Sequence, residues 1–159
     1  MSRLDSFIRR MSAQRDLLNE AACRIAELDG PVVELGLGNG RTFDHLRSLF
    51  AERRILVFDR KMSAFAASRP APEDFIEGEI RERAAAFAGI GAALVHCDIA
   101  TGYAEADDAT IAWLAGVVAP LLRPGGLAVS GMPLEHSGLE ALALPPGVAE
   151  GRYFFYRRR

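Results

Sequence analysis

From Pro31 onward, short runs of apolar residues alternate with segments of helical periodicity, and no other feature constrains the fold as strongly. Continuous apolar strands joined by helices are typical of a parallel sheet that is covered on both faces. The predicted class is therefore α/β, doubly wound. The predicted strands are 32–35, 54–58, 74–77, 92–97 and 127–130, and the predicted helices are 41–50, 63–68, 81–88 and 107–122, the last bent at Pro120.

The two ends of the chain differ from this repeating part. Residues 3–28 predict one bent helix or two short ones, since the apolar spacing is interrupted near residues 12–15. Gly30 and Pro31 then end helical structure. Residues 1–29 are thus an N-terminal helical segment of one domain that spans residues 1–159. Near the other end, we expect a short helix at 137–144 and one closing strand at 151–156.

Composition narrows the possible settings and partners. The formal net charge of −2 provides no global positive field for nucleic acid, so no nucleic-acid partner is predicted. No apolar run approaches the roughly 20 residues that span a bilayer, and the charged N-terminus is not a secretory signal. We therefore expect a cytoplasmic protein without a membrane partner. Cys23 and Cys97 have neither a disulfide nor a metal-ligand spacing, and both are expected to be buried.

The segment Glu34-Leu35-Gly36-Leu37-Gly38-Asn39-Gly40 joins the first predicted strand to a helix. Its three glycines permit positive φ and leave room for a ligand against the backbone, although a tight turn alone also favours glycine. Asp59 closes the second predicted strand about 20 residues further on, where nucleotide-binding folds place a ribose-binding acid. Glu34 stands inside an apolar strand and needs a cationic or hydrogen-bonding partner.

These residues resemble the first motif of class I S-adenosylmethionine-dependent methyltransferases, an acid followed by G-x-G-x-G. Asp59 is similar to the acid that ends the family's second strand, and Leu121-Leu122-Arg123-Pro124-Gly125-Gly126 is similar to its turn before the fifth strand. The resemblance covers roughly residues 30–132 and implies a mostly parallel, Rossmann-like sheet. It also implies S-adenosyl-L-methionine as the cofactor and a methyl-transfer reaction.

The resemblance implies a role for each matching position. The glycines border the methionine and ribose portions of the cofactor, Glu34 lies behind the methionine end, and Asp59 holds the ribose hydroxyls. Arg60 flanks the adenine, Glu79 meets its amino group and Ile80 packs on the ring. The implied cofactor-binding residues are Glu34, Gly36, Leu37, Gly38, Asn39, Gly40, Thr42, Asp59, Arg60, Glu79, Ile80 and Asp98.

The acceptor side rests on the ends of the fourth and fifth strands. Asp98 could orient an acceptor hydroxyl or amine, accept its proton, help bind a metal, or simply cap a turn. Glu135 and His136 follow the fifth strand and are expected at the same sheet edge, where open α/β sheets bind ligands. Asp98, Glu135 and His136 are the predicted catalytic residues. His96 is expected to be a hydrogen-bonded core histidine, and no metal site is assigned.

The chain also departs from the family pattern. Only residues 133–159 follow the fifth predicted strand, where the family commonly has a helix and two further strands. The sheet is therefore expected to be truncated, with an exposed edge that suits pairing in a homo-oligomer. The absence of an Asn-Pro-Pro-aromatic sequence and of an inserted substrate domain favours a small-molecule methyl acceptor.

Two alternatives stay open at this point. One is a non-catalytic S-adenosylmethionine-binding protein, because no base is identified. The other is a nicotinamide-dependent oxidoreductase, which Arg41 disfavours because G-x-G-x-x-G requires glycine at that position.

Overall fold

The structure, a computed structural model, describes residues 1–159 and contains one seven-stranded sheet in the order β3-β2-β1-β4-β5-β7-β6. β1 to β5 are parallel, and β7 is antiparallel to both of its neighbours, β5 and β6. The strands are β1 Val32–Leu35, β2 Ile55–Asp59, β3 Phe75–Glu77, β4 Ala92–Cys97, β5 Leu122–Ser130, β6 Leu139–Ala141 and β7 Phe154–Arg158.

Four helices cover the sheet. They are α1 Arg3–Arg24, α2 Arg41–Leu49, α3 Ile80–Ala85 and α4 Ala104–Leu121. One buried apolar cluster joins α1 and α2 to one face of the sheet, and a second cluster joins α3 and α4 to the other face. The doubly wound α/β architecture is therefore confirmed, because apolar strands buried on both faces need helices on both sides.

The N-terminal segment forms one continuous helix. Ser2 and Asp5 form a capping box in which each side chain accepts a hydrogen bond from the other residue's backbone N–H. The helix therefore begins with its first free N–H groups satisfied. The break in apolar spacing near residues 12–15 is not an interruption, because Gln14 is buried there in a polar contact described below.

The predicted truncation of the sheet is wrong. Residues 139–141 form β6 instead of part of a helix, and β7 follows three residues later than expected. β6 and β7 complete an antiparallel pair beside β5, so the sheet edges are the two three-residue strands β3 and β6. Short edge strands offer little to pair with, and a homo-oligomer stays a prediction without this support.

The structure also differs from three local predictions. Residues 63–68 hold only a 3-10 turn at Ala66–Ser68. β5 begins at Leu122, and its Pro124-Gly125-Gly126 segment lies in an irregularity of the β4–β5 register. Cys97 is buried as predicted, but Cys23 is exposed. No helix combines the length and the apolar character needed to cross a membrane.

Candidate functional site

The loop between β1 and α2 takes its shape from three glycines with positive φ, +93° at Gly36, +52° at Gly38 and +87° at Gly40. A Cβ at Gly36 would lie 2.7 Å from the carbonyl oxygen of Asp98, and one at Gly40 would lie 2.6 Å from that of Ser68. A Cβ at Gly38 would meet no atom within 4 Å. Gly36 and Gly40 are thus fixed by packing, whereas Gly38 borders open space.

Asp59, at the end of β2, holds this loop in place. Its Oδ2 accepts hydrogen bonds from the backbone N–H groups of Leu37 at 2.8 Å and Gly38 at 2.9 Å. Its Oδ1 accepts from the N–H of Arg60 at 2.6 Å. A carboxylate has about four acceptor sites, so Asp59 retains capacity for a ligand hydroxyl.

The loop borders an open cleft of about 600 Å³ at the carboxyl ends of the parallel strands. At one end, the exposed side chains of Arg60 and Glu79 form an ion pair at 3.2 Å, with Ile80 beside them. The other wall comes from the segment after β4 and from α4. The lining residues are Gly36, Gly38, Asp59, Arg60, Glu79, Ile80, Arg81, Asp98, Ile99, Ala100, Thr101, Ala106, Ala109, Thr110 and Trp113.

Asp98 is held by two residues of α1. The guanidinium of Arg10 forms an ion pair with Oδ1 of Asp98, and Nε2 of Gln14 donates to Oδ2 at 3.0 Å. The guanidinium also lies 5.8 Å from the ring centre of Tyr153, close enough for a cation–π contact. α1 therefore reaches the carboxyl edge of the sheet, and both oxygens of Asp98 have a partner.

A buried polar group continues from Asp98 into the core. Nε2 of Gln14 lies 2.7 Å from the hydroxyl of Tyr153 and 3.2 Å from Nε2 of His96. The rings of His96 and Tyr153 are nearly parallel, and burial raises the pKa of the Tyr153 hydroxyl. The expected hydrogen-bonded core histidine is confirmed, with both rings fully buried.

Glu34 does not reach the cleft. Its side chain is completely buried, its oxygens have no hydrogen-bond partner, and Nδ1 of His96 lies 3.7 Å from its Oε1. Burial raises the pKa of Glu34, because a carboxylate loses its hydration in the interior. His96 is the polar side chain that faces this acid, but at 3.7 Å it makes no hydrogen bond to it, so Glu34 lacks the hydrogen-bonding partner that the sequence required.

The remaining loop residues have local roles. Leu37 is buried in the core. The exposed Asn39 accepts a hydrogen bond from the N–H of Arg41 at 3.2 Å, and Thr42 is half-buried in the first turn of α2. None of these three side chains lines the cleft.

The prediction that Glu135 and His136 lie at the carboxyl edge is wrong. After β5 the chain turns back along the sheet, and the N–H of Leu134 donates to the hydroxyl of Tyr156. β6 then begins at Leu139, paired with Arg158. Since β7 is antiparallel, Arg158 belongs to the amino-end side of the parallel strands. Both residues are exposed and lie away from the cleft.

Three residues of the site were not predicted from the sequence, namely Arg10, Gln14 and Tyr153. They come from α1 and from the segment before β7, far from any recognised motif. The one available signal was Gln14, a polar residue at a position where the helical spacing places an apolar one.

Comparison with known proteins identifies the family. The family model described as S-adenosyl-L-methionine methyltransferase matches residues 1–158. An S-adenosyl-L-methionine methyltransferase from Silicibacter pomeroyi DSS-3, whose crystal structure is known, is 44% identical in sequence to this chain. The match covers 100% of this chain and 99% of that one, with a TM-score of 0.94. No curated protein matches the chain significantly.

More distant structures share the fold. A probable spermidine synthase from Corynebacterium glutamicum ATCC 13032 is 16% identical, with a TM-score of 0.63 over 92% of this chain and 63% of that one. The Podospora anserina methyltransferase PaMTH1, crystallised with S-adenosylhomocysteine (SAH), is 14% identical. Its TM-score is 0.59 over 100% of this chain and 80% of that one.

Membership of this family bears on the nicotinamide-dependent alternative that the sequence left open. It favours methyl transfer over nicotinamide chemistry and identifies S-adenosyl-L-methionine as the cofactor. The chain belongs to the S-adenosyl-L-methionine methyltransferase family and is an S-adenosyl-L-methionine-dependent methyltransferase.

Proposed function

We propose that this methyltransferase acts on a small-molecule acceptor that binds beside Asp98 at the carboxyl edge of the sheet. The observation that carries the proposal is the contact of Arg10 and Gln14 with Asp98. Because Arg10 and Gln14 of α1 contact Asp98, α1 bounds this edge of the sheet. The adjoining cleft of about 600 Å³ has the size of a small-molecule site.

Two of the three C-terminal arginines support the same proposal. Arg157 is paired with Glu140 at 2.8 Å, and Arg158 donates to the carbonyl of Gly138 at 3.0 Å. Both side chains therefore have partners within the chain, at the side of the sheet away from the cleft. With a net charge of −2, nothing here favours a nucleic-acid acceptor.

We place the cofactor along the glycine loop, with its adenosine end toward Glu79 and its methionine end toward Asp98. Three features support this placement. Gly38 borders open space, so a ligand can approach the backbone. Asp59 retains acceptor capacity for the ribose hydroxyls, and Arg60, Glu79 and Ile80 line the end of the cleft beyond it.

The bound cofactor supplies a methyl group that is already activated by its sulfonium. The protein then has to align the acceptor atom with that methyl group and keep water out. Asp98 lies where the two ligands would meet, and Arg10 and Gln14 fix its carboxylate. A free catalytic base is not required for an acceptor that is nucleophilic in its ground state.

The test is a turnover screen with methyl-labelled S-adenosyl-L-methionine. The acceptors are phenols, amines, thiols and carboxylates, beside tRNA and duplex DNA as polymer controls. We expect labelled product and SAH with at least one small-molecule class and none with the polymers. Turnover on a polymer alone would contradict the proposal. Tight cofactor binding without turnover on any acceptor would favour a non-catalytic binding protein.

A further inference from the structure

We propose that Arg10 and Asp98 together bind the amino-acid end of the cofactor, with the guanidinium holding the α-carboxylate and the Asp98 carboxylate holding the α-ammonium. This inference rests on the proposed placement of the cofactor along the glycine loop. It makes α1 part of the cofactor site, which no motif indicates.

The position of the pair supports this role. The backbone of Asp98 packs against Gly36, since a Cβ added to that glycine would lie 2.7 Å from the Asp98 carbonyl oxygen. Along the sheet, β3 and β2 lie on one side of β1, and β4 lies on the other. Asp98 after β4 and Glu79 after β3 are therefore on opposite sides of the loop. A cofactor whose adenosine is near Glu79 presents its amino-acid end near Asp98.

Both partners can accept a further ligand. Only Nη2 of Arg10 contacts Asp98, and a guanidinium has five N–H donors in a planar fork that suits a carboxylate. Asp98 accepts one bond at each oxygen and keeps capacity at both. The two side chains are 33% and 23% exposed, so both are accessible to a ligand.

The charges match as well. An α-amino acid presents a positive and a negative group on one carbon, and the Arg10–Asp98 pair presents the opposite charges side by side. Binding the zwitterion gives each protein charge a second partner and leaves none unpaired, which avoids the main cost of burying ions. At the adenosine end of the cleft, Arg60 pairs with Glu79 and Asp59 holds the loop. The remaining charged residue of the lining, Arg81, follows Ile80 at that same end.

Three ligands separate the two contacts. SAH contains both the amino and the carboxyl group. Decarboxylated S-adenosylmethionine keeps the amine and lacks the carboxylate, and 5′-methylthioadenosine lacks both. Calorimetric titration of each ligand into the full-length protein then measures what Arg10 and Asp98 contribute to each group.

We expect Arg10→Ala to weaken SAH binding by about 10- to 100-fold, the effect of losing a charge-assisted hydrogen bond. Binding of decarboxylated S-adenosylmethionine and 5′-methylthioadenosine should change by less than about 3-fold in this variant, since neither carries the carboxylate. Asp98→Asn should weaken both amine-containing ligands and spare 5′-methylthioadenosine. Arg10→Lys should recover part of the SAH affinity, because it keeps the charge and loses the planar fork.

The matched control is Arg9→Ala, which removes the same charge from the adjacent position of α1. The Arg9 guanidinium contacts the sulfur of Met1 and not the cleft, so all three affinities should be retained. Unchanged SAH binding in Arg10→Ala would overturn the inference. An equal loss of affinity for all three ligands would also overturn it, because Arg10 would then affect binding only by stabilising the fold.

Failure of the underlying proposal is recognisable in the unsubstituted protein. If it bound none of the three ligands, the placement of the cofactor would fail and the inference with it. If it bound SAH and 5′-methylthioadenosine equally well, the cofactor site would stand. The contact of Arg10 and Asp98 with the amino-acid end would be excluded.

Discussion

Nδ1 of His96 lies 3.7 Å from Oε1 of Glu34, and both side chains are completely buried. Neither the Glu34 oxygens nor this nitrogen has a hydrogen-bond partner. Burial raises the pKa of Glu34, and the imidazole only partly opposes that effect. The interior therefore favours a protonated Glu34 more than water does.

This relationship predicts a pH-dependent stability difference between the wild type and Glu34→Gln. Because folding raises the pKa of Glu34 above its ordinary value of 4.5, the folded state binds the extra proton. The contribution of Glu34 to the unfolding free energy is therefore complete below that value and is lost as the pH rises through the folded pKa. Glutamine has the shape of the protonated acid and does not titrate.

The stability of Glu34→Gln relative to wild type should therefore increase with pH, by at most about 1.4 kcal/mol per pH unit. Urea unfolding of both proteins between about pH 5 and pH 8 measures this difference. Glu140→Gln is the control, because the Arg157 pair lowers the pKa of Glu140, so the contribution of Glu140 is already complete above its ordinary pKa of 4.5 and the profile should stay nearly parallel to that of wild type in this range. Parallel pH profiles of wild type and Glu34→Gln would contradict the prediction.

Alanine substitutions at two glycines of the loop should separate an effect on stability from an effect on cofactor binding. Gly40→Ala places a Cβ 2.6 Å from a backbone oxygen at φ +87°, so we expect a loss of stability of more than about 2 kcal/mol. Gly38→Ala meets no atom within 4 Å and should cost only about 1 kcal/mol for its backbone conformation.

The methyl group that Gly38→Ala introduces would instead occupy the space we assign to the cofactor. Gly38→Ala should therefore weaken SAH binding by at least about 10-fold while the protein stays folded. Thermal unfolding and calorimetry on both variants check the pair. Normal SAH affinity in Gly38→Ala would place the cofactor elsewhere.

The parallel part of the sheet could be predicted from the sequence because each strand is a continuous apolar run between turn signals. β1, β2 and β4 are buried along nearly their whole length, so their burial and their sequence pattern agree. The glycine loop and Asp59 could be predicted equally well, since they directly follow β1 and β2.

The C-terminal part could not be predicted for a physical reason. β6 is three residues long and only its first is buried, so it has no periodicity of its own and forms by pairing with β7. The missed strand also explains the wrong position predicted for Glu135 and His136. That prediction assumes that the chain stays at the carboxyl edge after β5. Arg10 and Tyr153 were missed because only tertiary packing brings them to Asp98.

Asp59 should tolerate asparagine better than alanine. An asparagine oxygen can still accept from the loop N–H groups, whereas alanine leaves the donors of Leu37 and Gly38 without a partner. We expect Asp59→Ala to weaken SAH binding by about 10- to 100-fold and Asp59→Asn by clearly less. Calorimetry measures both, and Asp74→Ala, which removes an acid paired with Arg54, should bind normally. Equal losses for alanine and asparagine would show that the charge matters, and not the support of the loop.

Tyr153→Phe tests the buried polar group behind Asp98. The substitution keeps the ring under Arg10 and removes the hydroxyl that Gln14 contacts at 2.7 Å. Losing one buried hydrogen bond should cost about 1–3 kcal/mol of unfolding free energy.

The more specific readout is the pair of imidazole nitrogens of His96, followed by nitrogen-15 NMR. Their chemical shifts should change in Tyr153→Phe, because the hydroxyl lies 3.4 Å from Nε2. Tyr156→Phe is the matched control, since it removes a hydroxyl that accepts from the Leu134 N–H and does not contact the imidazole. It should lower stability and leave the His96 signals in place. If both variants left those signals unchanged, Tyr153 would only fill space, and Asp98 would depend on α1 alone for its orientation.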